Sequence, residues 1–519
     1  MTALAALAGC QADAPGADVA APEVQAGALT SPSPETVCNG DPRVWDGLVS
    51  LDVCVGARLF FDETFNGNGR TCGTCHPANN NFTVDKTFIQ SRPASDPLFI
   101  NENTSFPLAG LETTSLRDMA LVKENVDDFN DPTHKFVLRS VPHLFSMKTS
   151  IKRDPSDGTS ASFFDRTGWS GDGVAGGVFR DFANGAIAQH FTKDLGRTAG
   201  TSFRVATPTE LDRLSAFQLA LGRTNELNLN AVRLTDSFAE QGRLDFLDPH
   251  IGRCNECHGN AGANAAATGL NSNFATNSER FAAILTTRPT LNGVAIQDGG
   301  FGGQGLTNPN IATAVDGPLN AFGDGSFNTP PLIEAADTGP FFHHNNLGSE
   351  GQTIGLPGAI SFYASDAFNT SPAGKKLAAQ FGGPVTLPGN SIVEIAAFLR
   401  VLNTFFNLDI ATQRLQASQR LNSEYWDYRK EVQTGLITLA RKEVADALRV
   451  LATGDATPLH TADQPTLSTT LGKLDAALAA ADPAVRLSLT NDALALIAGV
   501  RPHFGTGVQF TLASGNLMF

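Results

Sequence analysis

"RTCGTCHP", residues 70–77, has a twin in "RCNECHGN", residues 253–260. Each stretch sets two cysteines three apart with a histidine directly behind: Cys72, Cys75 and His76, then Cys254, Cys257 and His258. Three chemistries use a CxxC pair. Two pairs together make a four-thiolate zinc site, but zinc has no need of a histidine immediately after both. A dithiol redox pair belongs in a βαβ context, which the flanking sequence lacks. C-x-x-C-H is also the attachment pattern of c-type haem. There the thiols add across the vinyl groups, and the next residue sits under the iron as its proximal imidazole. Repetition of the whole five-residue pattern carries this third choice, so the sequence predicts two covalently bound haem c groups.

The other cysteines point to an exported protein. "LAGC", Leu7 to Cys10, has the form of a lipoprotein cleavage site, although the segment is short for a signal peptide and lacks a positive n-region. The following small, acidic, Pro/Ala-rich stretch, 11–40, reads as a flexible tether. No other segment approaches the ~18 unbroken apolar residues of a membrane span. Cys38 and Cys54 remain, and in an oxidising compartment they most simply pair. The expected location is the periplasm or cell surface, with a lipid anchor in the outer membrane.

At 519 residues and 41% hydrophobic, the chain is long enough for several domains with their own cores. Its formal net charge of −15 argues against nucleic acid and anionic membrane surfaces as partners. "PTELDRLSAFQLALGR" (208–223) and "SIVEIAAFLRVLN" (391–403) show apolar residues at helical spacing, in the latter Ile392, Ile395, Ala396, Leu399 and Leu402. Residues 470–500 are also helical by pattern. The Gly-, Asn- and Ala-rich stretch 259–328 reads as a long loop region.

Around the two motifs stand "LFFD" (59–62), "RSVPHL" (139–144), "GWSGDG" (168–173) and "TGPFFHH" (338–344) with "FY" (362–363). On these features residues 45–405 resemble the bacterial dihaem cytochrome c peroxidase / MauG superfamily and, more distantly, the dihaem rubber oxygenases. The resemblance implies a mainly α fold of two cytochrome-c-like domains, one haem each. Placed on this chain, they are 41–205 around the first haem and 206–407 around the second. A helical C-terminal extension, 408–519, has no counterpart in the resemblance.

The same resemblance suggests roles for individual residues. His76 and His258 become the proximal iron ligands. His134, just before the Arg139 turn, is a candidate distal ligand of the first iron; otherwise that position stays open. His143 and His190 lie near the expected distal pocket as possible proton donors. Asp194 is the nearest match to the family's acid–base carboxylate, two positions off. Trp169 matches the tryptophan between the haems, a stepping stone for electrons. For the second iron, Tyr363 is one candidate distal ligand and His343 or His344 another. No methionine falls in that region. Thr338 and Pro340 match a calcium site between the domains, although Ser140 replaces its asparagine.

The implied chemistry is reduction of hydrogen peroxide at the first haem, with electrons from a small redox protein relayed through the second. Oxidation of a protein or organic substrate is the alternative that a Tyr363 ligand would favour. Dioxygen-dependent cleavage of a hydrophobic substrate is another. The alternative of a different class is a non-catalytic electron-transfer cytochrome of the cell envelope. Tyr, Trp and Met, the most oxidisable side chains, number only 10 among 519 residues, and several cluster in "EYWDY" (424–428).

Overall fold

The longest helix, Ser391–Arg420, has 30 residues, which makes it about 45 Å long. It lies at the centre of a mainly α protein. The computed structural model describes residues 32–102, 113–124, 137–150, 179–262, 278–280, 290–291, 294–295, 298–300, 322–343, 345, 355–422, 427–452 and 457–519. The one-sided pattern expected over 391–403 widens into burial on all sides, because Ser237–Leu247 packs on one flank and Asp427–Ala452 on another. Gly242 permits the first contact: a Cβ there would come within 1.8 Å of the Glu394 carbonyl oxygen. Among the described residues this is the one helix long and apolar enough to cross a membrane by length and composition. Its most apolar window is 83% buried inside the protein.

Helix Leu51–Asp62, with Ser50 accepting from the Val53 amide at its start, packs on Pro208–Leu219. Thr207 and Glu210 close a capping box at the start of the second of these, as "TPTE" suggests. Cys38 and Cys54 form the expected disulfide. Its first cysteine sits in helix Pro34–Asn39, so the end of the stretch read as tether is helical and bonded to the core.

The C-terminal extension supplies three further helices, Asp427–Ala452, Gln464–Ala479 and Pro483–Val500. The continuous pattern read over 470–500 is cut in two at "ADP". Asp482 caps the new helix and Pro483 starts it, a position where proline's missing N–H costs nothing. The boundary drawn at 407/408 falls inside the central helix, and one hydrophobic core runs from Cys38 to Met518. Buried Arg400 donates to the Val450, Leu451 and Thr457 carbonyls, satisfying the end of Asp427–Ala452. The Phe519 ring packs against Phe61, Phe82 and Phe217, and Gly505–Thr506 pairs antiparallel with Arg233–Leu234. Within the region read as loop, Phe322–Asn328 instead pairs with both Ser278–Arg280 and Asp298–Gly300.

A polar junction joins the extension to the rest. Asp337 accepts from Asn403 and Asn407 at 3.0 and 2.7 Å, beside Asp446, which Lys442 and Arg449 neutralise. Burial and then the Asp446 charge push the Asp337 carboxyl up to about 8. A folded-state pKa above the unfolded value means that folding retains a proton. The associated stability is therefore full in acid and lost as pH rises from about 4 to about 8. Asp337→Asn, which keeps the acceptor oxygen without the charge, is expected to flatten this decline. Urea midpoints measured across that pH range check it: wild type should lose a few kcal/mol, at ~1.4 kcal/mol per unit, and the variant little.

Candidate haem sites

Both CxxC segments fold as single helical turns, Cys72–Cys75 and Cys254–Cys257, and in each the histidine amide donates back to the first cysteine's carbonyl. Upstream, the buried Arg70 guanidinium donates to the Leu98 carbonyl at 2.7 Å, and Arg253 donates to the Gly383 carbonyl at 2.9 Å. These contacts fix the entry to each turn.

The two histidines are held alike. His76 Nδ1 lies 2.8 Å from the Phe82 carbonyl oxygen, and His258 Nδ1 lies 2.8 Å from that of Pro330. A carbonyl only accepts, so Nδ1 carries the proton and Nε2 keeps its lone pair. This is how proteins orient a metal-ligating imidazole. Burial pushes both imidazoles down to about 4, so each stays neutral, the form that ligates.

The thiols speak against the rival chemistries. Burial pushes Cys72 and Cys254 up to about 12, Cys75 adding to the effect at Cys72, whereas a redox CxxC has a lowered first cysteine. None of the four forms a disulfide. Among the described residues no cluster of three or more His, Cys, Asp or Glu is placed to hold a metal ion, so the two pairs do not converge on a zinc site. The residues present do fit a haem: two thiols and an oriented imidazole on one turn. At the second motif there is also an apolar chamber. This cavity encloses about 1610 Å³ including its mouth, with Phe246, Leu332, Ile360, Leu377 and Leu399 among its walls.

Tyr363 and His343 both line this chamber with His258. Burial raises the Tyr363 hydroxyl, with the neighbouring Cys257 and Cys254 adding to it. The phenol is therefore held in its protonated form. His143 lines the chamber with Val141 and Pro142, and Val141 also packs in the cluster that takes in Cys75 of the first motif. The turn Val141–Pro142–His143 is thus a wall shared by both sites. Burial pushes His143 down to about 4, with Arg223 adding to this and Glu334 opposing.

Local packing carries His190 to the first motif. It ends helix Phe179–His190, and Asn68, from the loop before Cys72, donates to its carbonyl while the Asn68 amide donates to Phe191. Gly67 allows that approach, since a Cβ there would fall 2.1 Å from the Phe191 oxygen. Asp194 takes another place: its carboxylate accepts from the Ser202 hydroxyl and the Gly196 amide, both at 2.9 Å, in a turn of its own. A different acid, Glu124, meets His190 at 3.6 Å. Nothing in "LVKE" singles it out. His134, His344 and Trp169 lie outside the described residues.

Thr338 and Ser140, the residues of the calcium expectation, both hydrogen-bond to backbone carbonyls. The Thr338 hydroxyl donates to the Glu334 carbonyl at 2.8 Å, and that of Ser140 lies on the Phe342 and His343 carbonyls. Compared with protein families, with curated proteins and with solved structures, the chain finds no match.

Proposed function

We propose that this chain is an exported dihaem c-type oxidoreductase that reduces hydrogen peroxide at the His76 site, with electrons arriving through the His258 site. One observation carries it: two CxxCH turns, each aiming a neutral imidazole from a backbone carbonyl, share the Val141–His143 wall. When bound, haem supplies the redox-active iron. The chain does the rest. Cys72, Cys75, Cys254 and Cys257 would hold the groups, and His76 and His258 would ligate through Nε2. The apolar walls exclude water, which strengthens every charge interaction inside. His190 accepts a proton from peroxide, while neutral His143 separates the two sites. Trp169 is the proposed stepping stone between them. The Cys38–Cys54 disulfide suits the oxidising compartment in which haem c is attached.

Optical and electron-spin spectra of each haem before and after peroxide test this reading. It expects one high-spin haem that reacts and one six-coordinate haem. Two six-coordinate haems with no peroxide reaction would make the chain an electron carrier. A second reading, oxidation of an organic or protein substrate, is favoured by Tyr363 in the His258 chamber. A tyrosinate ligand stabilises oxidised iron, so its charge-transfer band, lost in Tyr363→Phe, would select that reading.

A further inference from the structure

The His76 site has a carboxylate that neither the motif nor the resemblance supplies. Strands Leu121–Glu124 and Val137–Ser140 pair antiparallel, with Val122 opposite Arg139 and Glu124 opposite Val137. Side chains two apart on a strand share a face, so Glu124 and Arg139 are diagonal neighbours on one face of the ribbon. Arg139 is fully buried and Glu124 is 8% exposed. The Arg139 guanidinium lies 3.7 Å from one Glu124 oxygen, and His190 Nε2 lies 3.6 Å from the other. Among the described residues these are the charged partners facing Glu124; Lys123, its strand neighbour, alternates to the opposite face. Both separations are ion-pair distances, of the kind that tighten when a site is filled. Val122 of the ribbon and Val141 just after it pack in the cluster that takes in Cys75, and Asn68 ties the His190 carbonyl to the loop before Cys72, so this buried acid, flanked by a cation and an imidazole, lies beside the first motif.

We infer that Glu124 is the positioning residue of the His76 site: held by Arg139, it orients His190 and stabilises the imidazolium formed when His190 takes a proton from an incoming acid. This rests on the proposal that His76 ligates a haem with an open side. With Nε2–H turned to Glu124, Nδ1 is the basic nitrogen, as in carboxylate–histidine pairs generally. For an acid such as hydrogen cyanide, the H–C bond breaks, the proton goes to Nδ1 of His190, and the electron pair stays on the cyanide carbon. Hydrogen peroxide would lose an O–H proton in the same way.

Cyanide binding tests the inference without turnover. The haem-loaded full chain is mixed with cyanide across the pH range, and the association rate is read from the Soret shift. Glu124→Gln should slow association about 10- to 100-fold, the usual cost of removing such a partner, and should flatten its pH dependence. Glu124→Asp should restore much of both. His190→Gln should slow association to a similar degree, and the double variant should be no slower than either single one. A purely structural role would lower the melting temperature of Glu124→Gln and leave the rate and its pH profile in place, which would overturn the inference. Should Glu124→Gln not fold, an unchanged rate in His190→Gln would overturn it equally. Wild-type protein that binds neither cyanide nor peroxide would contradict the open-site reading, and the inference with it; wild-type binding with unaltered variants contradicts the inference alone.

Discussion

Replacing Cys254 and Cys257 together with alanine is expected to leave a protein carrying one covalent haem instead of two. The lost group is the one proposed to fill the chamber between the central helix and Leu356–Phe362. Its walls are apolar, and without an occupant they lose their dispersion partners on one side. The expected destabilisation is about 3–5 kcal/mol, the range for deleting a large buried ring. At ~2.1 cal/mol/K of unfolding entropy per residue, a chain of 519 residues shifts by about 1 °C per kcal/mol, so the melting temperature should fall by about 3–5 °C. The same change at Cys72 and Cys75 should remove the other haem and the peroxide reaction with it. Absorbance of the haem retained after denaturation, together with a melting curve, checks both. Two covalent haems persisting in either variant would contradict the assignment of that motif.

The second large effect lies in the wall between the sites. Arg223 and Glu334 are both fully buried and lie 3.4 Å apart, and Ser146 donates to the same Glu334 oxygen at 2.6 Å. Arg223 also pairs with Glu226 at 3.1 Å. Charges taken so far from water depend on such partners. Arg223→Met strands Glu334 and should destabilise by about 3–5 kcal/mol, whereas removing both charges together is often nearly neutral. Arg223→Met with Glu334→Leu should therefore recover much of the loss. Urea midpoints read the difference, and a single variant as stable as wild type would show that the pair does not hold the wall. The His143 ring feels both charges, so the single variant should also perturb the haem spectra.

How far the sequence reveals this protein depends on how local each feature is. CxxCH is a one-turn motif, complete in five residues, and the structure forms it as written. The helix beginning at Pro208 carries its own capping signal, and Cys38 and Cys54 were the cysteines left to pair. What stayed hidden is set by long-range contacts. Phe82 and Pro330 orient the histidines through backbone carbonyls, which any residue could provide. Glu124, Arg139 and His190 meet because a strand register and a helix end coincide. Asp194 looked like the acid by its place in the chain, yet Ser202 and Gly196 lay claim to its carboxylate. The central helix read as one-sided because the partners that cover its other faces lie far off in sequence.

The central claim is that Cys72–His76 and Cys254–His258 each hold one haem covalently. Intact-mass measurement of the denatured chain tests it most directly. The account predicts the polypeptide mass plus two haem groups, falling by one when either cysteine pair is replaced. The bare polypeptide mass, in protein matured where haem c is attached, would contradict it.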